Sequence, residues 1–85
     1  MYRIVLTKTA TKSLSKVPQA DVKRIRRKLK SLAANPFAEH LQVKRLIGRD
    51  GFRLRIGDWR VIYDIHNDTL IIMVFKIASR AKVYR

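Results

Sequence analysis

The sequence holds no cysteine, three glycines, two prolines and only six acidic residues. Without cysteine there is no disulfide and no thiolate metal site, so packing must hold the fold, and the cytoplasm is the expected location. Two histidines and the few scattered carboxylates form no ligand-spaced cluster, so neither a metal nor another cofactor is expected. No apolar run reaches the ~18 residues that a membrane span requires. The start Met1-Tyr2-Arg3-Ile4 reads as a strand rather than a secretion signal, and no membrane partner is expected. There is no linker, repeat or low-complexity segment. Residues 1–85 are expected to form a single domain with one small core.

What the chain has in excess is positive charge. Lys and Arg number 20 against 6 Asp and Glu, a formal charge of +14. That balance fits a polyanion partner, and the self-repulsion it creates would be relieved by an acidic protein partner.

The most informative stretch is Gly51 to His66, which alternates like two strands around Gly57-Asp58. Gly suits the positive φ that a primed two-residue turn needs at its first central position. Pairing about that turn sets Ile56 against Trp59, Arg55 against Arg60, Leu54 against Val61 and Phe52 against Tyr63. One face is then apolar and must be covered. The other carries Arg53, Arg55 and Arg60. Like charges directly opposite one another repel by a few tenths to ~1 kcal/mol, and an anion between them reverses the sign.

Before the hairpin, Tyr2 to Thr7 reads as a strand. Ala10, Leu14 and Val17 recur at helical spacing, with Thr9 as the expected N-cap and Pro18 as the stop. Val22, Ile25, Leu29, Leu32 and Ala33 form the apolar stripe of a second helix closed by Asn35-Pro36. Its remaining surface carries Lys23, Arg24, Arg26, Arg27, Lys28 and Lys30. This is a solvated face, a nucleic-acid backbone contact or a partner's docking surface. Asn35 to Gln42 reads as a loop anchored by Phe37 and Leu41, with His40 exposed in it. Val43 to Ile47, including the basic pair Lys44-Arg45, is a short strand or the approach to one.

After the hairpin, Asn67-Asp68 reads as a tight turn. Thr69 to Ile77 is almost unbroken apolar, which predicts a central strand buried on both faces. Such a turn would set Phe75 across from Arg60. Asp64 falls on the arginine face, either orienting an arginine or pairing with one, and His66 falls at the turn. The expected fold is α+β, in the order βααβββ, with an antiparallel sheet covered on one face by two N-terminal helices.

On these residues the chain resembles the RelE/ParE superfamily of toxins, and the RelE branch in particular. The resemblance spans nearly the whole chain and is most specific at Val43-Lys44-Arg45-Leu46, at Gly51-Phe52-Arg53-Leu54-Arg55-Ile56-Gly57-Asp58-Trp59-Arg60-Val61-Ile62-Tyr63, and at Arg80-Ala81-Lys82-Val83-Tyr84. It implies a small toxin of a type II toxin–antitoxin system, neutralised by an acidic antitoxin in a hetero-oligomer. RelE-like members enter the ribosomal A site and cut mRNA, whereas ParE-like relatives poison DNA gyrase. By position, the resemblance makes Arg53 and Arg55 phosphate contacts, Arg60 the holder of the scissile phosphate, Arg80 a transition-state stabiliser and Tyr84 the general base. Many relatives have Gly-His-Arg where this chain has Ala78-Ser79-Arg80, so any role of that histidine is missing.

The expected activity is therefore endoribonuclease cleavage without a metal, with Arg55, Arg60, Arg80 and Tyr84 at the reacting phosphate. Arg53, Lys44, Arg45, Lys23, Arg27, Lys30 and Lys82 are the expected RNA contacts. RNA supplies its own nucleophile, the 2′-hydroxyl, and arginine supplies permanently charged paired donors for the phosphoryl oxygens. A phenol with an ordinary pKa near 10 needs adjacent cations, here Arg80, Lys82 or Arg85, to act as a base. A gyrase-directed toxin and a non-catalytic RNA-binding module are the alternatives.

Overall fold

In the computed structural model the described residues are 1–79. They form β1 (Arg3–Leu6), α1 (Lys8–Ser15), α2 (Gln19–Ala34), β2 (Val43–Arg45), β3 (Phe52–Ile56), β4 (Trp59–His66) and β5 (Ile71–Ser79). The strands make one sheet in the order β1-β5-β4-β3-β2. The two helices carry the chain across the full width of the sheet, from β1 at one edge to β2 at the other. From β2 onward the chain meanders back antiparallel, and β5 meets β1 in parallel.

The α+β class and the two-helix cover are as expected from the sequence. The sheet, however, is mixed rather than antiparallel throughout, and Val43–Arg45 adds a strand, giving βααββββ. The β1–β5 pairing joins segments far apart in sequence, which local patterning does not specify, whereas Val43–Arg45 takes the strand alternative already open in the sequence.

Helix α1 begins earlier than the sequence suggests. Thr7, not Thr9, is the N-cap, and its hydroxyl accepts from the Ala10 N–H at 3.1 Å. Pro18 precedes α2, and its carbonyl accepts the Val22 N–H at 2.9 Å. Ile25, Leu29 and Leu32 on α2, with Ala10 and Leu14 on α1, are buried against Leu54, Ile56, Val61, Tyr63, Ile72, Val74 and Ile77 of the sheet, and Ala33 is buried as well. Each large aliphatic side chain buried this way contributes roughly 1.5–3 kcal/mol before entropy is counted. Leu41 anchors the α2–β2 loop as expected, but Phe37 is 67% exposed and Pro36 is buried in its place.

The β3–β4 register is the one read from the sequence, from Phe52 opposite Tyr63 to Ile56 opposite Trp59. Gly57 takes φ +58° at the turn, and Asp58 is not among the residues of positive φ, as a type II′ turn requires. The β4–β5 register differs from expectation. His66 pairs with Ile71, so the turn spans residues 67–70, and a bulge at Phe75 takes the pairing from Tyr63–Val74 to Ile62–Lys76. Together these place Ala78, not Phe75, across from Arg60. The bulge has a clear physical purpose. Without the extra residue, strict alternation would drive Lys76 under the helices and Ile77 out of the core.

Candidate nucleic-acid interface

Alternation along β3 turns Leu54 and Ile56 toward the helices, which turns Arg53 and Arg55 to the other face. On β2, Lys44 pairs with Arg53, and on β4, Arg60 pairs with Arg55. Lys44, Arg53, Arg55 and Arg60 thereby line one cavity of about 340 Å³, together with Leu41, Gln42 and Val43. Among the described residues, no carboxylate lines it. Gln42 belongs to it because its carbonyl accepts the Arg55 N–H at 2.9 Å, which fixes the chain leading into β2 alongside β3.

Arg60 decides the character of this cavity. It is only 3% exposed. Its Nη1 donates to the carbonyls of Gly57 and Trp59, each at 3.0 Å, while its Nε is buried with no hydrogen-bond partner. The carbonyls fix the orientation of the guanidinium but bring no countercharge. A desolvated cation costs several kcal/mol unless it is paired, and another arginine faces this one across the ladder. Among the described residues, no salt bridge involves Arg55 or Arg60, and the Asp21–Arg24 pair at 3.8 Å lies on α2. A bound anion would offset the Arg55–Arg60 repulsion.

The other residues named from the sequence divide as follows. Arg45 does not join the cavity. It follows Lys44 on the same strand, so it turns to the opposite face, where its guanidinium carbon lies 5.7 Å from the Phe52 ring centroid. Lys23 and Lys30 are exposed on α2 and line neither this cavity nor its neighbour. Arg27 faces that neighbouring cavity, between α2 and the β3–β4 turn, which Arg55 also lines. Arg80, Lys82 and Tyr84 lie outside the described residues. Asp64 accepts the N–H of Ile65 at 2.8 Å through its own side chain.

The sequence reading missed Gln42, because nothing in the pattern marks a loop glutamine as the wall of a site. It also missed that Arg60 is buried, since strand alternation sets a side chain's face and not its depth.

Tyr63 is the phenol nearest to this region in sequence, but it stands on the helix side of the sheet. It is fully buried and stacks on Phe52 with ring centroids 5.6 Å apart. Burial pushes its pKa well above the ordinary value near 10, so it holds its proton too tightly to act as a base.

A model of the family described as "ParE toxin of type II toxin-antitoxin system, parDE" matches residues 4–84. The chain belongs to the RelE/ParE superfamily of toxins. A curated protein of Methanocaldococcus jannaschii that carries the toxin name RelE1 is 33% identical to this RelE/ParE chain over 86 residues, which is 99% of this chain and 96% of that protein. The archaeal RelE–RelB complex from Pyrococcus horikoshii OT3 superposes with a TM-score of 0.81 at 30% identity, covering 95% of this chain and 97% of that one. The RelB–RelE antitoxin–toxin complex from Methanococcus jannaschii gives 0.78 at 26% identity, with 94% of each chain covered. The two-helix, five-strand arrangement is thus the RelE fold.

Proposed function

We propose that this chain is the toxin of a type II toxin–antitoxin pair and acts in the cytoplasm as a ribosome-dependent mRNA endoribonuclease that needs no metal. The observation that carries this reading is Arg60. It is a buried guanidinium held by two carbonyls, with no countercharge among the described residues, in a cavity walled by Lys44, Arg53 and Arg55. A scissile phosphodiester fits that need.

In the proposed reaction, the 2′-oxygen loses its proton to a base and attacks phosphorus. The bond to the 5′-oxygen breaks, and that oxygen takes up a proton. The products are a 2′,3′-cyclic phosphate, or its opened form, and a 5′-hydroxyl. Arg60 and Arg55 act on the extra negative charge of the pentacovalent state, where donors fixed in advance are worth a few kcal/mol each. Lys44 and Arg53 hold the flanking backbone. Among the described residues, no histidine, carboxylate or phenol lines the cavity. Tyr84 and Arg80 are therefore proposed, from the family resemblance, as base and second stabiliser.

The charge of +14 and the RelB found with the Pyrococcus and Methanococcus RelE chains support an acidic antitoxin as partner, in a toxin–antitoxin hetero-oligomer. The A site of the ribosome, with its mRNA, is the proposed target.

One observation favours a second reading. The matching family model bears the ParE description, and the ParE branch is the one tied to DNA gyrase. Programmed ribosomes given the purified toxin separate the two. Cut mRNA with cyclic-phosphate and 5′-hydroxyl ends supports the nuclease. Intact mRNA together with gyrase trapped on DNA supports the ParE-like activity, and RNA binding without either leaves a non-catalytic binding module.

A further inference from the structure

The cavity on the far side of Arg55 is not explained by cleavage. It is about 270 Å³ in volume, sits between α2 and the β3–β4 turn, and is lined by Arg24, Arg27, Lys28, His40 and Arg55, with Gly57 at its rim. Among the described residues, no carboxylate lines it. Arg24 and Lys28 stand one helical turn apart, and Arg27 lies beside them, so one flank of α2 presents three cations to the hairpin. Arg55 and Gln42 line this cavity and the Arg60 cavity alike, so the two cationic cavities lie side by side at the end of β3.

Arg24 closes onto the β3–β4 turn: a Cβ on Gly57 would lie 2.6 Å from its Nη2, and the guanidinium would have to shift. Among the described residues, Arg24 is otherwise held only by the loose 3.8 Å pairing with Asp21, whose carboxylate is not part of the lining. Four permanent cations around so small a space suit a compact, multiply charged anion better than an extended acidic peptide, whose carboxylates are spaced along a chain.

We propose that this compartment is a second phosphate site, which holds a further backbone phosphate of the same single-stranded RNA whose scissile phosphate lies at Arg60. The inference rests on the reading of RNA as substrate and adds the site that fixes the strand's path. Arg55 sits between the two phosphates and serves both. Arg24 and Lys28 bind without touching the reacting atoms, so they contribute affinity and register rather than bond cleavage.

The test uses the full chain and a 2′-O-methyl oligouridine, which binds but offers no nucleophile. For a single strand, each phosphate that the protein ceases to neutralise lowers the slope of log affinity against log salt by about 0.7. The double variant Arg24→Ala/Lys28→Ala is expected to weaken binding at least tenfold and to flatten that slope by the equivalent of one to two phosphates, about 0.7–1.4. Lys12→Ala/Lys16→Ala on α1 removes the same charge elsewhere and is expected to leave the slope unchanged. Arg24→Lys/Lys28→Arg is expected to restore it. Thermal melts of each variant establish that it is folded. If the two alanine pairs behave alike, the loss reflects net charge and the proposal is overturned. It is also overturned if Arg24→Ala/Lys28→Ala loses affinity for an acidic antitoxin peptide while keeping the RNA slope.

Cleavage on ribosomes separates this proposal from the one on which it rests. A raised KM with kcat unchanged in Arg24→Ala/Lys28→Ala supports both. Unchanged cleavage with an unchanged slope removes the second site and keeps the nuclease. No cleavage by the wild type, with the slope effect intact, removes the nuclease and keeps the phosphate site.

Discussion

Arg55 and Arg60 stand directly opposite each other across the β3–β4 ladder, the first exposed and the second almost completely buried. Two facing cations with no carboxylate lining their cavity among the described residues destabilise the hairpin they belong to. The arrangement is explained if stability is given up for an anion site. Arg60→Met, which keeps the aliphatic stem and removes the charge, is therefore expected to be neutral or more stable by up to about 2 kcal/mol in urea unfolding. A polyanion that raises the Tm of the wild type should raise that of the variant less. A loss of about 3 kcal/mol or more would instead make Arg60 a structural residue.

Tyr63 buries a hydroxyl that has no hydrogen-bond partner. Tyr63→Phe removes that group while keeping the stack on Phe52, and it should stabilise the protein by about 1 kcal/mol, or roughly 4–8 °C in Tm.

The same residue gives a pH dependence with a definite sign. Burial raises the folded-state pKa of Tyr63 above its ordinary value near 10, so only the unfolded chain loses this proton just above that pH. Its contribution is fully present below pH 10 and is lost as pH climbs from there toward the folded-state pKa, at up to about 1.4 kcal/mol per pH unit. Urea midpoints of wild type and Tyr63→Phe, compared from neutrality into this range, should show the steeper decline in the wild type. Parallel curves would mean that the phenol is hydrated in the folded protein and that its pKa is not raised.

Leu70 is the one non-glycine residue of positive φ among those described, at φ +55°, and it is 48% exposed. A leucine in this conformation is strained by roughly 1–2 kcal/mol, whereas asparagine tolerates it. Leu70→Asn should stabilise the chain by about 0.5–1 kcal/mol after the leucine's partial apolar burial is counted, as measured by its urea midpoint. The Arg3 N–H to Leu70 carbonyl bond at 2.8 Å, which ties β1 to this turn, does not involve the side chain.

The hairpin is readable from the sequence because two constraints agree there. Strict alternation fixes which side chains share a face, and Gly57 fixes where the turn falls, so Arg53, Arg55 and Arg60 can be placed together. Strand β5 gives no such agreement. Its apolar run fits several registers equally well, and neither the turn over residues 67–70 nor the bulge at Phe75 leaves a local signature, so the pattern points to Phe75 where Ala78 stands. The basic pair Lys44-Arg45 is divided between two faces. Adjacent strand residues cannot share a face, and the alternation rule that works for the hairpin separates them once Val43–Arg45 is taken as a strand. The depth of Arg60 and the approach of Arg24 to Gly57 depend on how separate elements pack together, which no local pattern encodes.

The role proposed for Arg60, acting on the charge of the reacting phosphate, is read from the single-turnover rate of mRNA cleavage on programmed ribosomes for wild type, Arg60→Lys and Arg60→Ala. Removing one preorganised donor to a developing oxyanion costs roughly 10²–10³ in rate, so Arg60→Ala should fall by about that factor with toxin binding to the ribosome little changed. Arg60→Lys should recover only part of it, because lysine lacks the guanidinium fork. An Arg60→Ala protein that cuts at the wild-type rate would contradict the account.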